Sequence, residues 1–222
     1  KLMSKKDTNL GQRVNEYLIS KNVETPTIAK NLQVDDSTKL ANIEKSVHDI
    51  MVTLGLDLTD DSLMDTPKRV SKMYVNEIFS GLNYDNFPKC TTVDNKMNYD
   101  EMVLVKDISC ISACEHHLIT IDQKATIAYI PKDKVLGLSK LNRLAKFFAQ
   151  RPQIQERYTE QVFHALEYLL GTEDVAVLVK GKHYCVAARG VEDASSYTVT
   201  SRLGGVFKHD PIARTEFLSL SK

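Results

Sequence analysis

Leu10, Val14 and Leu18 recur at helical spacing and predict a short amphipathic helix near the start of the chain. The polar stretch from Glu24 to Asp36, with Pro26 inside it, predicts a linker. Leu40, Ile43, Val47, Ile50, Met51 and Leu54 then form an apolar stripe, and Gly55 is placed to end that helix. A third helix is expected to start at Thr66-Pro67, with Thr66 as cap and Pro67 in the first turn. Val70, Met73, Tyr74 and Ile78 would face inward there, and Gly81 would close it. From Met102 the texture changes. Met102–Val105 and Lys124–Ile130 carry strand-type residues, and Pro131 stops the second run. Helices are expected over Ser139–Gln150 and, preceded by Pro152 and opened by Gln155-Glu156, on through Leu170. Val175–Val179, Tyr184–Val191 and Thr198–Phe207 follow as expected strands. The pattern predicts an α+β fold with a helical N-terminal extension.

A chain of 222 residues is long enough to bury a full core. Its 42% hydrophobic and 26% charged content is that of an ordinary soluble protein. No apolar run reaches membrane-spanning length and no signal segment is visible, so the expected partners exclude membranes and the expected location is cytoplasmic. Lys+Arg and Asp+Glu both number 29, a balance that argues against nucleic-acid binding through a broad basic field. An anionic small substrate needs only local Lys and Arg. Four cysteines are too few for a disulfide scaffold and suit a reducing compartment or a metal.

The cysteines carry the sharpest signal. Cys114 and His117 stand three apart in Cys-Glu-His-His, so one tight turn can aim a thiolate and an imidazole at one point. In an extended strand His183, Cys185, Ala187 and Arg189 would share a face, presenting imidazole, thiol and guanidinium in a row. Two sulfurs and one nitrogen would leave a water position on zinc, the catalytic pattern. Cys110, four residues before Cys114, is a possible fourth ligand that would close the site into a structural one. Gln155-Glu156 opens a helix and could grip a planar N–H edge, although acids favour a helix's first turn in any case. Gly137-Leu138-Ser139-Lys140, with Arg143 one turn on, is a plausible phosphate cradle without being a Walker sequence. Arg69 and Lys72 taken alone read as a solvated helix face. His48, His164 and His209 read as structural or surface residues.

Cys-Glu-His-His, Gly-Leu-Ser-Lys-Leu-Asn-Arg, Arg-Pro-Gln-Ile-Gln-Glu-Arg, His-Tyr-Cys-Val-Ala-Ala-Arg-Gly and Thr-Ser-Arg-Leu-Gly-Gly-Val-Phe occur in that order. Together, from about Leu40 to Leu220, they resemble the GTP cyclohydrolase I family. The resemblance implies zinc on Cys114, His117 and Cys185, with His183 as the proton-transfer residue and His116 assisting. It implies that Gln155 and Glu156 hold the guanine. Lys140, Arg143 and Arg189 would hold the triphosphate, with Ser139, Arg69 and Lys72 on the phosphate side. A tunnelling fold is implied over residues 101–222, an antiparallel four-stranded sheet with two helices on one side. Residues 1–100 would be the helical extension. The subunits would assemble as a homo-oligomer, a decamer of two stacked pentamers, with sites between subunits.

The implied reaction is hydrolysis of GTP at the imidazole ring of guanine. Water activated by zinc attacks the carbon between the two ring nitrogens while His183 protonates one of them. Formate leaves and the ribose recloses, giving 7,8-dihydroneopterin triphosphate at the head of pterin and folate synthesis. A zinc nucleobase deaminase is the main rival, but its His-x-Glu with Pro-Cys-x-x-Cys is absent. A queuosine-pathway relative of the same fold lacks reason for the full motif set.

Overall fold

The computed structural model describes residues 5–222. Helix α1 (Thr8–Ser20) forms as its spacing predicts, with Asp7 accepting from the Leu10 amide and Val14 and Leu18 fully buried. A short turn α2 (Ala29–Leu32) interrupts the expected linker. Helix α3 (Asp36–Thr53) follows behind an Asp35 cap, then α4 (Thr66–Met73). Two expectations fail in this helical pair. The α3 stripe does not form a core face: only Met51 is buried, while Ile50 is 59% and Leu54 71% exposed. The helix packs on α4 and stands off the sheet, so its apolar side lacks a layer to cover it. Helix α4 does not run on to Gly81 either. Thr66 is its first residue, Asp65 stands at the cap, and after Met73 the chain passes through a π-helical turn (Tyr74–Ile78) and two 3₁₀ turns.

Strands β1 (Thr92–Asp94), β2 (Val103–Cys114), β3 (Thr120–Tyr129) and β4 (Lys134–Leu136) lead into helix α5 (Leu138–Ala149). A two-residue strand β5 (Pro152–Gln153) precedes helix α6 (Gln155–Leu170). Strand β6 (Val175–His183), a helical turn α7 (Tyr184–Ala187) and β7 (Thr198–Leu203) complete the main sheet. Its order is β5-β2-β3-β6-β7, antiparallel except that β5 runs parallel to β2. A separate pair joins β1 to β4. The fold is therefore α+β with an antiparallel sheet.

The period of two along β6 sorts its side chains. Val175, Val177 and Val179 face α5 and α6, in one core with Leu144, Phe148, Tyr158, Val162, Leu166 and the Val14 and Leu18 of α1. Ala176 and Leu178 face the other way, against Phe207 and Phe217. Those two phenylalanines belong to α8 (Gly205–His209) and α9 (Pro211–Leu220), helices the sequence pattern did not predict. The expected strand Thr198–Phe207 stops at Leu203 because Gly205 turns the chain at φ +47°. The Val206 amide then donates to Asp174 Oδ1 at 2.8 Å.

The expected strand Tyr184–Val191 is also absent. Its neighbours run out: β3 pairs with β6 only as far as Ile121↔His183, and β7 only as far as Thr198↔Gly181. With no ladder left, the chain closes into α7, and the Ala188 amide bonds the Tyr184 carbonyl at 2.9 Å. His183, Cys185, Ala187 and Arg189 therefore do not line one strand face.

A buried polar joint fixes the start of α6. Arg151 is fully buried, with its guanidinium 4.8 Å from the Phe147 ring centre and 4.9 Å from that of Phe148. It donates to the Gly81 carbonyl and to Thr25 Oγ1. Gln161 donates to the Val23 carbonyl at 2.9 Å and accepts from Gln153 at 2.7 Å. The segment after α1 is thus tied to the residues that seat β5 beside Cys114.

Candidate metal centre and substrate site

The turn that carries Cys114 and His117 lies between β2 and β3. Cys114, 4% exposed, ends β2, and Leu118 at φ +54° reverses the chain. The Cys114 amide bonds the Ile119 carbonyl at 2.8 Å, and the Leu118 amide bonds the Cys114 carbonyl at 2.7 Å. Glu115 anchors the turn from outside: its amide bonds the Gln153 carbonyl at 3.1 Å, and its carboxylate meets Arg157 at 2.6 Å. Arg157 lies in the first turn of α6, so a partly buried ion pair holds the ligand turn against that helix.

Across the sheet, α7 swings Cys185 toward this turn. The ligand atoms of Cys114, His117 and Cys185 all lie within 4.8 Å of one another. No such group among the described residues includes Cys110. Its thiol is buried in the main core, and burial raises its pKa. Burial, then the neighbouring Cys114 thiol, raises the Cys185 pKa, a strain that a cation between the two sulfurs would relieve. Two thiols and an imidazole with an exposed side suit a soft or borderline cation such as zinc.

His116 and Arg189 flank the trio. His116 Nδ1 sits 3.7 Å from Cys114 Sγ, and Arg189 reaches His117 Nε2 at 2.9 Å. His183 ends β6, where burial lowers its pKa and the Glu156 carboxylate partly offsets that. Its Nε2 lies 2.8 Å from Gln155 Oε1. Gln155 is 1% exposed and Glu156 is exposed, although they are adjacent at the start of α6. One chain therefore brings together Cys114, His116, His117, Gln155, Glu156, His183, Cys185 and Arg189.

The remaining expected residues lie elsewhere. Tyr129 holds the Leu136 amide at 3.0 Å, so α5 starts at the Tyr129 end of β3 while the ligand turn abuts its Thr120 end. Ten residues of strand separate those ends by about 30 Å. Ser139, Lys140 and Arg143 sit at this far end, where Lys140 and Arg143 oppose the burial that pushes the Cys90 thiol up to about 11. Arg69 and Lys72 lie exposed on α4, with Arg69 3.6 Å from Asp65. Sequence reasoning passed over Glu115 and Arg157. Both lie inside the motifs quoted above, but no local spacing shows that two residues 42 apart pair.

A profile of the GTP cyclohydrolase I family matches residues 43–222. The chain belongs to the GTP cyclohydrolase I family. The GTP cyclohydrolase 1 of Enterobacter sp. (strain 638) is 57% identical over 92% of this chain and 92% of that protein. Those of Aeromonas salmonicida and Shewanella denitrificans are 56% and 54% identical, over 95% of this chain and 97% and 96% of theirs. Among solved structures, an archaeosine synthase QueF-Like in the apo form aligns with a TM-score of 0.38 at 15% identity, over 47% of this chain and 93% of that one. Among the described residues no helix is long and apolar enough to cross a membrane. The family's members are enzymes, and this chain is one of them.

Proposed function

We propose that this chain is a zinc-dependent GTP cyclohydrolase I, which hydrolyses GTP to 7,8-dihydroneopterin triphosphate and formate. Family membership supports the reaction. The observation that carries the metal is the Cys114–His117–Cys185 trio, whose ligand atoms lie within 4.8 Å. When bound, zinc would lower the pKa of a water toward neutrality and so supply the nucleophile.

The other steps fall to side chains. Glu156, exposed at the start of α6, accepts from the N–H edge of guanine. Gln155 shares that recognition through its main chain, since its amide is spent inside the protein. His183 delivers the proton to the ring nitrogen beside the attacked carbon, and His116 assists from next to Cys114. Arg189 leaves His117 for the triphosphate. Lys140, Arg143 and Ser139, with Arg69 and Lys72, complete the phosphate grip.

That grip needs a second subunit. The phosphate cluster and the ligand turn sit at opposite ends of the sheet in one chain, so a homo-oligomer that juxtaposes neighbouring sheets supplies the missing half. We take the assembly to be the decamer of two stacked pentamers and the sheet to be a tunnelling fold. Residues 101–222 would form the catalytic domain, and residues 1–100 the extension, in a cytoplasmic enzyme. The open edge of β7 and the uncovered stripe of α3 are faces such an assembly would cover.

Metal removal tests the reading. A chelated preparation should lose turnover of GTP and regain it on adding zinc. Unchanged turnover in a preparation shown to hold no metal would overturn it.

A further inference from the structure

Gln155 is the most heavily bonded side chain near the centre, and no partner it has is a ligand. Its amide nitrogen lies 3.1 Å from the Val179 carbonyl, 3.1 Å from the Thr198 carbonyl and 3.1 Å from Thr200 Oγ1. Its oxygen lies 2.8 Å from His183 Nε2. Thr159 Oγ1 donates to the Gln155 carbonyl at 2.8 Å and meets Thr200 Oγ1 at 2.7 Å, which locks the threonine beside the amide. Strand β6 has made room for it. A Cβ on Gly181 would meet Gln155 Oε1 at 2.2 Å, so any side chain there would push the amide off His183.

The two backbone carbonyls decide the rest. Carbonyl oxygens only accept, so the NH₂ of Gln155 faces them and its oxygen faces His183. That oxygen also only accepts, so the hydrogen of their bond sits on His183 Nε2. We propose that Gln155 is a positioning residue that fixes the tautomer and orientation of His183 through the bond between its Oε1 and the ring Nε2. The inference rests on the reading of His183 as the proton donor, but its structural half does not. The tautomer can be measured without any turnover.

The test uses the zinc-loaded holoenzyme labelled with ¹⁵N-histidine, its His183 signals assigned by comparison with His183→Gln. In wild type, at a pH where the ring is neutral, the ¹⁵N shifts should report the Nε2–H tautomer. An Nδ1–H signal would overturn the proposal whatever the enzyme's activity. In Gln155→Met, which keeps the length and removes the hydrogen bonds, the His183 signal should move toward a tautomer mixture. Its kcat should fall roughly 10- to 100-fold, a share of the usual contribution of a placed acid. KM for GTP should stay within about threefold of wild type. A raised KM with kcat preserved would return the amide to base recognition and overturn the proposal. Should Gln155→Met fail to fold, the wild-type tautomer still decides. Failure of the function itself would show differently, as the Nε2–H tautomer in a protein that does not turn over GTP.

Discussion

The three candidate ligands stood out as residues because cysteine and histidine at short spacing have few other uses in a cysteine-poor chain. Their geometry was less legible. Cys114 and His117 do share one turn, as the spacing predicted. Cys185 reaches the same point through α7, not along a strand face. Gln155 was legible as a residue but its surroundings were not. Its place beside Glu156 marked it for substrate, whereas its amide is closed off by Val179, Thr198 and Thr200, two strands that only the fold brings near. Cys110 supplies a test at this scale, since it lies in the main core and outside the trio. Cys110→Ala should leave bound zinc at wild-type stoichiometry, at a stability cost of about 1 kcal/mol for the small void. Cys114→Ser should lose most of the metal. Zinc assay of both purified variants checks this, and loss of zinc from Cys110→Ala would turn the site into a closed structural one.

At the scale of elements, helices were the best-read features because their period of 3.6 survives wherever one face is buried. Helix α1 and the cores of α5 and α6 formed as predicted. Strands depended on partners the pattern does not show, which is why Tyr184–Val191 became a turn. Helix α9 was missed although Asp210-Pro211 marks its start, with Asp210 accepting from the Ile212 amide at 2.8 Å. Helix α1 gives this scale its prediction. It is clamped to α6 by Tyr17, which donates to Glu167 at 2.8 Å; within α6, His164 holds that carboxylate at 2.7 Å and Glu160 at 3.3 Å, its ring edge-on to Tyr17. The hydrogen bond from His164 holds Glu160 below its usual range. Burial pushes Glu167 up, but bonds from His164 and Tyr17 outweigh it and leave it lowered. A carboxyl lowered in the folded state stabilises fully above its ordinary pKa, and that share is lost as pH falls through the lowered value. Melting temperature should therefore drop on acidification below about pH 4.5. In Glu167→Gln the drop should be shallower. An identical acid slope in the variant would remove Glu167 from the clamp.

The whole molecule was the least legible level, because the residues proposed for the phosphates and the turn proposed for the metal are far apart in any one chain. Sequence order lists them together; the ten-residue strand β3 separates them. A site shared between subunits resolves this and predicts complementation. Arg143→Ala and His183→Ala homo-oligomers should each be nearly inactive. Subunits mixed by co-refolding should recover measurable turnover, since some interfaces then pair an intact Arg143 with a neighbour's intact His183. No recovery in verified mixed oligomers would place the whole site within one chain. The central claim is tested most directly by incubating the zinc-loaded protein with GTP and measuring formate alongside the ultraviolet band of the pterin product. The account predicts that both appear together, one formate for each pterin; a zinc-replete, folded oligomer that yields neither would contradict it.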